Sequence, residues 1–202
     1  MRANASIPAI VLAAGASTRL GQPKQLLRLP GAHESLLEHT LRVARAAELQ
    51  PVFVVLGAQA EAIAVATKLQ GATVLHNPEW SEGMASSIRC GLRAVQEQAP
   101  DAAGVLLLVC DQPALHQEHL RAMLAAHRAE PEALVASHYA GIHGVPFLVP
   151  RALFPALAGL RGDRGARALL EEGKYARIAI PLHRGECDID SPEDISGLSM
   201  SG

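Results

Sequence analysis

Short apolar runs alternate with segments of helical periodicity along the chain. Residues 7–12 are uniformly apolar and break into Ala13-Ala14-Gly15, the pattern of a strand covered on both faces. Residues 35–47 read as a helix: Ser35 and Glu38 have capping-box spacing, and Leu37, Leu41 and Ala44 fall on one face. Residues 51–56 form a second strand stopped by Gly57, 59–70 a helix stopped by Gly71, and 73–75 a short strand. The loop His76-Asn77-Pro78-Glu79-Trp80 leads to a helix over 84–98, which Gly91 weakens. Residues 104–110 are the most apolar stretch and predict a buried strand. A helix over 116–128, strands over 134–137 and 145–149, two short helices over 151–157 and 165–172, and a strand over 177–182 follow. A short extended piece at 187–189 precedes Ser191-Pro192-Glu193, which opens a terminal helical turn.

This alternation predicts an α/β fold with right-handed strand–helix–strand units and a mostly parallel sheet. Residues 141–165 interrupt it with Gly, Pro and Arg, and are expected to shape a second half of the site. The 202 residues suit a single domain spanning 1–202. With 49% hydrophobic and 19% charged residues the chain is too apolar for disorder, and no run is long enough to span a bilayer. A net charge of -2 and 3% aromatics argue against a nucleic-acid partner. Three widely spaced cysteines make neither a disulfide framework nor a CxxC zinc site. No signal peptide is expected at the amino terminus, so the expected compartment is the cytoplasm.

Four motifs carry candidate chemistry. Leu12-Ala13-Ala14-Gly15-Ala16-Ser17-Thr18-Arg19-Leu20-Gly21-Gln22-Pro23-Lys24 follows the first strand, where open parallel sheets bind ligands. Small residues and Gly15 let backbone N–H groups approach phosphate, Arg19 can grip it bidentately, and Lys24 adds a point charge. The string is neither GxGxxG nor GxxxxGK[ST]. Asp111, just past the most apolar strand, is a hard oxygen ligand suited to Mg²⁺ bridging phosphates, or else a cap for the next turn. Of Asp188 and Asp190, one is expected to face Asp111: Asp188 is expected as the second metal ligand and Asp190 as structural. Gly83-Met84-Ala85-Ser86-Ser87-Ile88-Arg89 opens a helix with free N–H groups and hydroxyls suited to a base or ribose.

Nine histidines add little by themselves. His116 and His119 lie three apart, but without a third ligand they read as a half-exposed helix face. His143 lies in the irregular segment, either at an acceptor or simply solvated. Arg161, Arg164 and Arg167 offer three cations near a helix start, for an anionic substrate or a solvated turn.

Taken in order, from Ile10 to Asp194, the motifs resemble the MobA-like nucleotidyltransferases, and among them the molybdenum cofactor cytidylyltransferase group. The resemblance rests on the Leu12-Ala13-Ala14-Gly15…Arg19-Leu20-Gly21…Pro23-Lys24 string, Asn77-Pro78-Glu79-Trp80…Gly83-Met84…Ser86-Ser87, Asp111-Gln112-Pro113, Gly144-Val145-Pro146, Gly162-Asp163-Arg164-Gly165-Ala166-Arg167 and Asp188-Ile189-Asp190-Ser191-Pro192-Glu193-Asp194. Guanylyl-transferring relatives carry a second glycine where this chain has Ala14 and an acidic residue where it has Pro23. The contrast favours the cytidylyl branch.

The resemblance implies a three-layer α/β/α, Rossmann-like sheet of the nucleotide-diphospho-sugar transferase type. It implies Mg²⁺-dependent transfer of CMP from CTP to the phosphate of a molybdopterin-type cofactor, with a recipient molybdoenzyme as a further partner. Mg²⁺ falls to Asp111 and Asp188, the β- and γ-phosphates to Arg19 and Lys24, and the nucleoside to Leu12, Ala13, Ala14, Gly15, Gly83 and Ser87. The alternatives are a guanylyltransferase or another cytidylyltransferase on the same fold, and a non-catalytic protein that delivers the cofactor. A nicotinamide-dependent oxidoreductase is disfavoured by the missing GxGxxG.

Overall fold

The computed structural model describes residues 6–29, 31–69, 71–191 and 194. Seven strands form one sheet: β1 (Ala9–Ala13), β2 (Val52–Leu56), β3 (Thr73–His76), β4 (Gly104–Val109), β5 (Leu134–Tyr139), β6 (Ile142–Pro150) and β7 (Arg177–Pro181). Their order is β3-β2-β1-β4-β6-β5-β7. Only β6 runs against the rest; it is antiparallel to both β4 and β5, while the other neighbouring pairs are parallel.

Strand alternation sorts the core into two layers. Ile10 and Leu12 point to the face covered by α3 (Met84–Gln98), α5 (Phe154–Ala158) and α6 (Arg167–Glu171). Ala9, Val11 and Ala13 point to the face covered by α1 (Leu36–Ala46), α2 (Ala60–Ala66) and α4 (Gln117–Ala129). Every residue of β1 and β2 is buried, which is why these strands read as continuous apolar runs. The expected three-layer α/β/α architecture is thus present.

Local chemistry explains most boundaries. The capping box of α1 forms in both directions: Glu38 N–H donates to Ser35 Oγ at 3.2 Å, and Ser35 N–H donates to Glu38 Oε2 at 2.8 Å. Gly91 sits inside α3 because a Cβ there would come within 2.5 Å of Ile10 Cγ2. The glycine that lowers helix propensity is what lets α3 lie close against β1.

Several boundaries differ from expectation. The helix expected over 59–70 ends at Ala66, and Gln70 lies outside the described residues. The helix expected over 151–157 divides into a 3₁₀ turn at Arg151–Leu153 followed by α5. Strand β6 is longer than expected and contains Pro146, which has no N–H for a ladder. The register with β5 shifts between Ala136 and Ser137, and the Ser137 hydroxyl takes the Pro146 carbonyl at 3.0 Å. Residues 187–189 are not a strand; Cys187 N–H closes a turn onto Arg184 O at 3.1 Å. Of the expected terminal turn, Pro192 and Glu193 lie outside the described residues. Among the described residues no helix is long and apolar enough to cross a membrane.

Candidate functional site

A cavity of about 380 Å³ opens at the carboxyl ends of β1 and β4. Its lining includes Leu12, Ala14, Gly15, Lys24, Trp80, Gly83, Met84, Ser87, Val109, Asp111 and Asp163. Seven of these are residues the sequence nominates: Leu12, Ala14, Gly15, Lys24, Gly83, Ser87 and Asp111. A larger cavity of about 600 Å³ lies at the amino ends of the strands, beside Ile7, Leu49 and Ala103. In parallel sheets ligand-binding loops gather at the carboxyl ends, so the smaller cavity is the candidate site.

The loop after β1 is shaped from below. Gln25 is fully buried, and its Nε2 donates to Ala13 O at 2.7 Å and Gly15 O at 3.1 Å. With those carbonyls held inward, Ala14 and Gly15 border the cavity. Ala13 itself is not brought to the cavity; its side chain packs in the opposite core layer. Period-two alternation within β1 accounts for this difference from the sequence expectation.

Across the cavity, the start of α3 is fixed by a buried polar cluster. Asn77 Nδ2 donates to Ser86 Oγ at 2.9 Å and Ser87 Oγ at 3.1 Å, and Ser86 Oγ donates to Gly83 O at 2.9 Å. Ser87 therefore accepts from Asn77 and keeps its own proton to donate elsewhere. Gly83 has φ +118°, and a Cβ there would lie 2.4 Å from Asp163 Oδ1. Only glycine combines that backbone with so close an approach.

The charged groups meet at the cavity wall. Lys24 Nζ donates to Asp111 Oδ2 and, at 2.9 Å, to Asp190 Oδ1. Arg19 donates from Nη2 to Asp190 Oδ2 at 2.8 Å, with its own side chain largely exposed. Burial works against the Lys24 ammonium, but Asp111 and Asp190 outweigh it and hold Lys24 above the usual lysine range. The hydrogen bond from Lys24 holds Asp190 below the usual carboxylate range. Asp190 is thus part of the charged cluster, a correction to its expected purely structural place. It also has a scaffold around it: Asp194 Oδ2 accepts from the backbone N–H groups of Asp190 and Ser191.

Asp188 faces the same cluster. Desolvation first, then the charges of Asp111 and Asp190, push its carboxyl up to about 7. The residue as a whole stays exposed, so its desolvation is partial and the repulsion between carboxylates is what a cation would relieve. Asp188 and Asp190 both lie beside the Lys24–Asp111 pair because residues two apart along an extended stretch share a face, while Ile189 between them points the other way; Ile189 N–H bonds Asp111 O at 3.0 Å, which sets the segment alongside the end of β4. The buried Ile189 side chain pins that segment against Leu20 and Leu36.

Three carboxylates here face two cations. Asp111 Oδ1 is buried without a hydrogen-bond partner. An orphaned carboxylate oxygen beside an excess of negative charge is the donor set of a hard divalent cation. The residues present therefore fit such an ion, and Asp111 and Asp188 are the carboxylates that could hold it. Among the described residues no three His, Cys, Asp or Glu side chains form a ready-made metal cage, as expected if a substrate supplies the remaining ligands.

Other nominated residues lie apart. His116 is the N-cap of α4, and His119 is buried and bonded to Ser137 Oγ at 2.8 Å, not half-exposed. Arg161 bonds the carbonyls of Ala158 and Leu160. The sequence did not single out Gln25, Trp80 or Asp163 individually. Trp80 and Asp163 sit inside quoted motifs, whereas Gln25 gives no signal because buried and exposed glutamines look alike in a sequence.

The family description "MobA-like NTP transferase domain" matches residues 9–178. The chain belongs to the MobA-like NTP transferase family. It is a nucleotidyltransferase, and its sheet is that of the nucleotide-diphospho-sugar transferase fold. Purine catabolism protein PucB of Bacillus subtilis is 34% identical over 195 residues, covering 92% of each chain. Nicotine blue oxidoreductase of Paenarthrobacter nicotinovorans is 31% identical and covers 82% of each. Rv0371C of Mycobacterium tuberculosis, whose crystal structure was solved in complex with manganese, is 32% identical at a TM-score of 0.80, covering 98% of this chain and 100% of that one.

Proposed function

We propose that this MobA-like enzyme transfers CMP from CTP to the phosphate of a molybdopterin-type cofactor, with Mg²⁺ as the working ion and release of pyrophosphate. The observation that carries the reading is the junction of Lys24 with Asp111 at the wall of a cavity floored by the Gly15 loop. A second support is the pair Ala14 and Pro23, which departs from the guanylyl pattern.

The acceptor phosphate attacks the α-phosphorus of CTP. A phosphorus–oxygen bond forms there as the bond to the β-phosphate oxygen breaks, and the electron pair leaves with pyrophosphate. A phosphate monoester is largely dianionic near neutral pH, so the attack needs positioning and charge neutralisation more than a general base. Mg²⁺ held by Asp111 and Asp188 would supply charge neutralisation at the α-phosphate.

The chain's own groups supply the rest. Lys24 spends two protons on Asp111 and Asp190 and has a third for the leaving phosphates. Arg19, anchored by Asp190 at the mouth, adds a second cation for the same charge. Ala14, Gly15, Gly83 and Ser87 contact ribose and base, with Leu12 beneath.

The test is to incubate the protein with Mg²⁺, CTP or GTP, and molybdenum cofactor, and to weigh the product. A mass gain of one CMP with stoichiometric pyrophosphate is expected. Gain of GMP overturns the nucleotide assignment, and retained cofactor without pyrophosphate makes the protein a delivery module. NADPH should not stabilise the protein in a thermal-shift titration; saturable binding would favour an oxidoreductase, the class in the Paenarthrobacter relative's name.

A further inference from the structure

The motifs Asp111-Gln112-Pro113 and Gly144-Val145-Pro146 each hold a residue that the nucleotide site leaves without a role. Gln112 directly follows Asp111 and is 1% exposed. Its Nε2 donates to Gly185 O at 2.9 Å and to the Tyr139 hydroxyl at 3.3 Å. Tyr139 closes β5, and β6 stands between β5 and β4, so the phenol crosses β6 to reach Gln112. Gly144 permits the crossing: a Cβ on this β6 residue would overlap the Tyr139 hydroxyl. Gly185 packs on the same ring, and a Cβ there would come within 2.5 Å of Tyr139 Cδ1.

These contacts decide where the segment bearing Asp188 lies. Residues 183–190 belong to no strand, so no ladder fixes them. They are held to the end of β4 at two points instead. The Gln112 amide takes the carbonyl of Gly185, and the Asp111 carbonyl takes the N–H of Ile189 at 3.0 Å. Asp188 lies between the two ties. The second is main chain to main chain and is open to any sequence, whereas the first needs an amide donor of this length. Leucine would fill the space without a donor, and glutamate would add a fourth carboxylate beside Asp111, Asp188 and Asp190. The Oε1 of Gln112 is buried without a hydrogen-bond partner, so the amide keeps its N–H on Gly185 although an acceptor goes unsatisfied.

We propose that Gln112 is a positioning residue: by holding Gly185 to the end of β4, it sets how closely the Asp188 carboxylate approaches Asp111 around a divalent cation. The role rests on the reading of that carboxylate pair as the cation's holders, and it deepens that reading. Two carboxylates repel each other, so a loose segment would carry Asp188 away from Asp111 and the cation would have to draw it back. A tied segment keeps the pair in place beforehand, and less of the binding energy goes into ordering it. Groups that orient metal ligands in this way commonly change metal affinity 10–100-fold without touching the ion.

The probe is Mn²⁺, titrated into the full chain without nucleotide and read from the electron paramagnetic resonance signal of the free ion. Gln112→Leu should weaken Mn²⁺ binding at least about tenfold. Gly185→Ala displaces the accepting carbonyl while leaving Gln112 intact; it should do the same, and it carries the test should Gln112→Leu not fold. His119→Gln, remote from the site, should bind Mn²⁺ like the parent; an equal loss there would trace the effect to lowered stability and overturn the role. In transfer assays the rate of Gln112→Leu should recover as Mg²⁺ is raised, with the half-saturating Mg²⁺ shifted by the same factor and the KM for CTP at saturating Mg²⁺ unchanged. A rate that no Mg²⁺ concentration restores, or parent-like Mn²⁺ affinity in either variant that folds, overturns the positioning role. Asp111→Ala separates the two possible failures. If it binds Mn²⁺ as tightly as the parent, or if the parent binds none, the carboxylate-pair reading falls and the role of Gln112 falls with it. If Asp111→Ala loses Mn²⁺ while Gln112→Leu and Gly185→Ala keep it, the pair stands and Gln112 alone is overturned.

Discussion

Lys24 and Asp111 stand 87 positions apart, yet their side chains are hydrogen-bonded at the rim of the cavity. The contact joins the loop after β1 to the end of β4, two neighbouring parallel strands. Asp111→Ala removes the orphaned oxygen and one partner of Lys24, while Asp190 keeps the ammonium paired. The variant should fold, with a melting temperature close to that of the parent. Its rate of pyrophosphate release should fall at least about a hundredfold, the scale of losing a group that stabilises transition-state charge. Near-normal turnover would remove Asp111 from the chemistry.

Gly83→Ala should be costly for a different reason. The new methyl group would meet Asp163 Oδ1 and the Gly162 backbone, at a φ of +118°. Strain at such a backbone costs on the order of 1–3 kcal/mol, before the displaced loop is counted. The expected result is a lowered melting temperature together with weaker CTP binding by calorimetry. Gly15→Ala is the matched control, since a Cβ there meets nothing within 4 Å. It should melt like the parent, and equal melting of Gly83→Ala would show that the α3 entrance yields easily.

Much of this was legible in the sequence because the signals are local. Buried parallel strands write themselves as apolar runs, so β1, β2 and β4 fall within a residue or two of expectation. Asp111 is visible because it follows the end of β4 closely, and Lys24 because it closes the loop string that begins at the end of β1. Asp190 departs from expectation because residues two apart share a face: it joins Asp188 beside Lys24, while Ile189 between them packs into a small core with Leu20 and Leu36. Strand β6 extends beyond the expected 145–149 at both ends, and a register shift in β5 accommodates Pro146 within it. The reach of Tyr139 to Gln112 depends on which strands become neighbours, and β6 enters the sheet out of sequence order.

Gln25 tests whether the β1 loop is held from beneath. Its amide carries two carbonyls that would otherwise be buried or re-aimed. Gln25→Ala leaves both short of a donor, and an unpaired buried carbonyl costs about 1–3 kcal/mol. Part of that cost should appear as stability lost in urea, and part as a higher KM for CTP with kcat less affected. An unchanged KM alongside lost stability would make Gln25 a core residue without influence on the loop.

His119 gives the fold a pH dependence remote from the candidate site. Burial, then the neighbouring His116, pulls its pKa from 6.5 to about 4. The Ser137 hydroxyl donates to Pro146 O, so the Nε2 proton is the one shared between His119 and Ser137. The folded chain thus prefers neutral imidazole. The stabilisation is complete above the unfolded value of 6.5, and it is lost as pH falls toward the folded value of about 4. At pH 5 the linkage amounts to about 2 kcal/mol relative to pH 8. His127, also lowered by burial and by Arg128, adds a background slope shared by any variant at position 119. Urea unfolding of parent and His119→Gln at pH 8, 6.5 and 5 separates the two. The parent should lose stability more steeply below pH 6.5, closing the gap between the proteins by about 2 kcal/mol at pH 5. Parallel curves would mean that His119 takes up its proton in the folded state without cost.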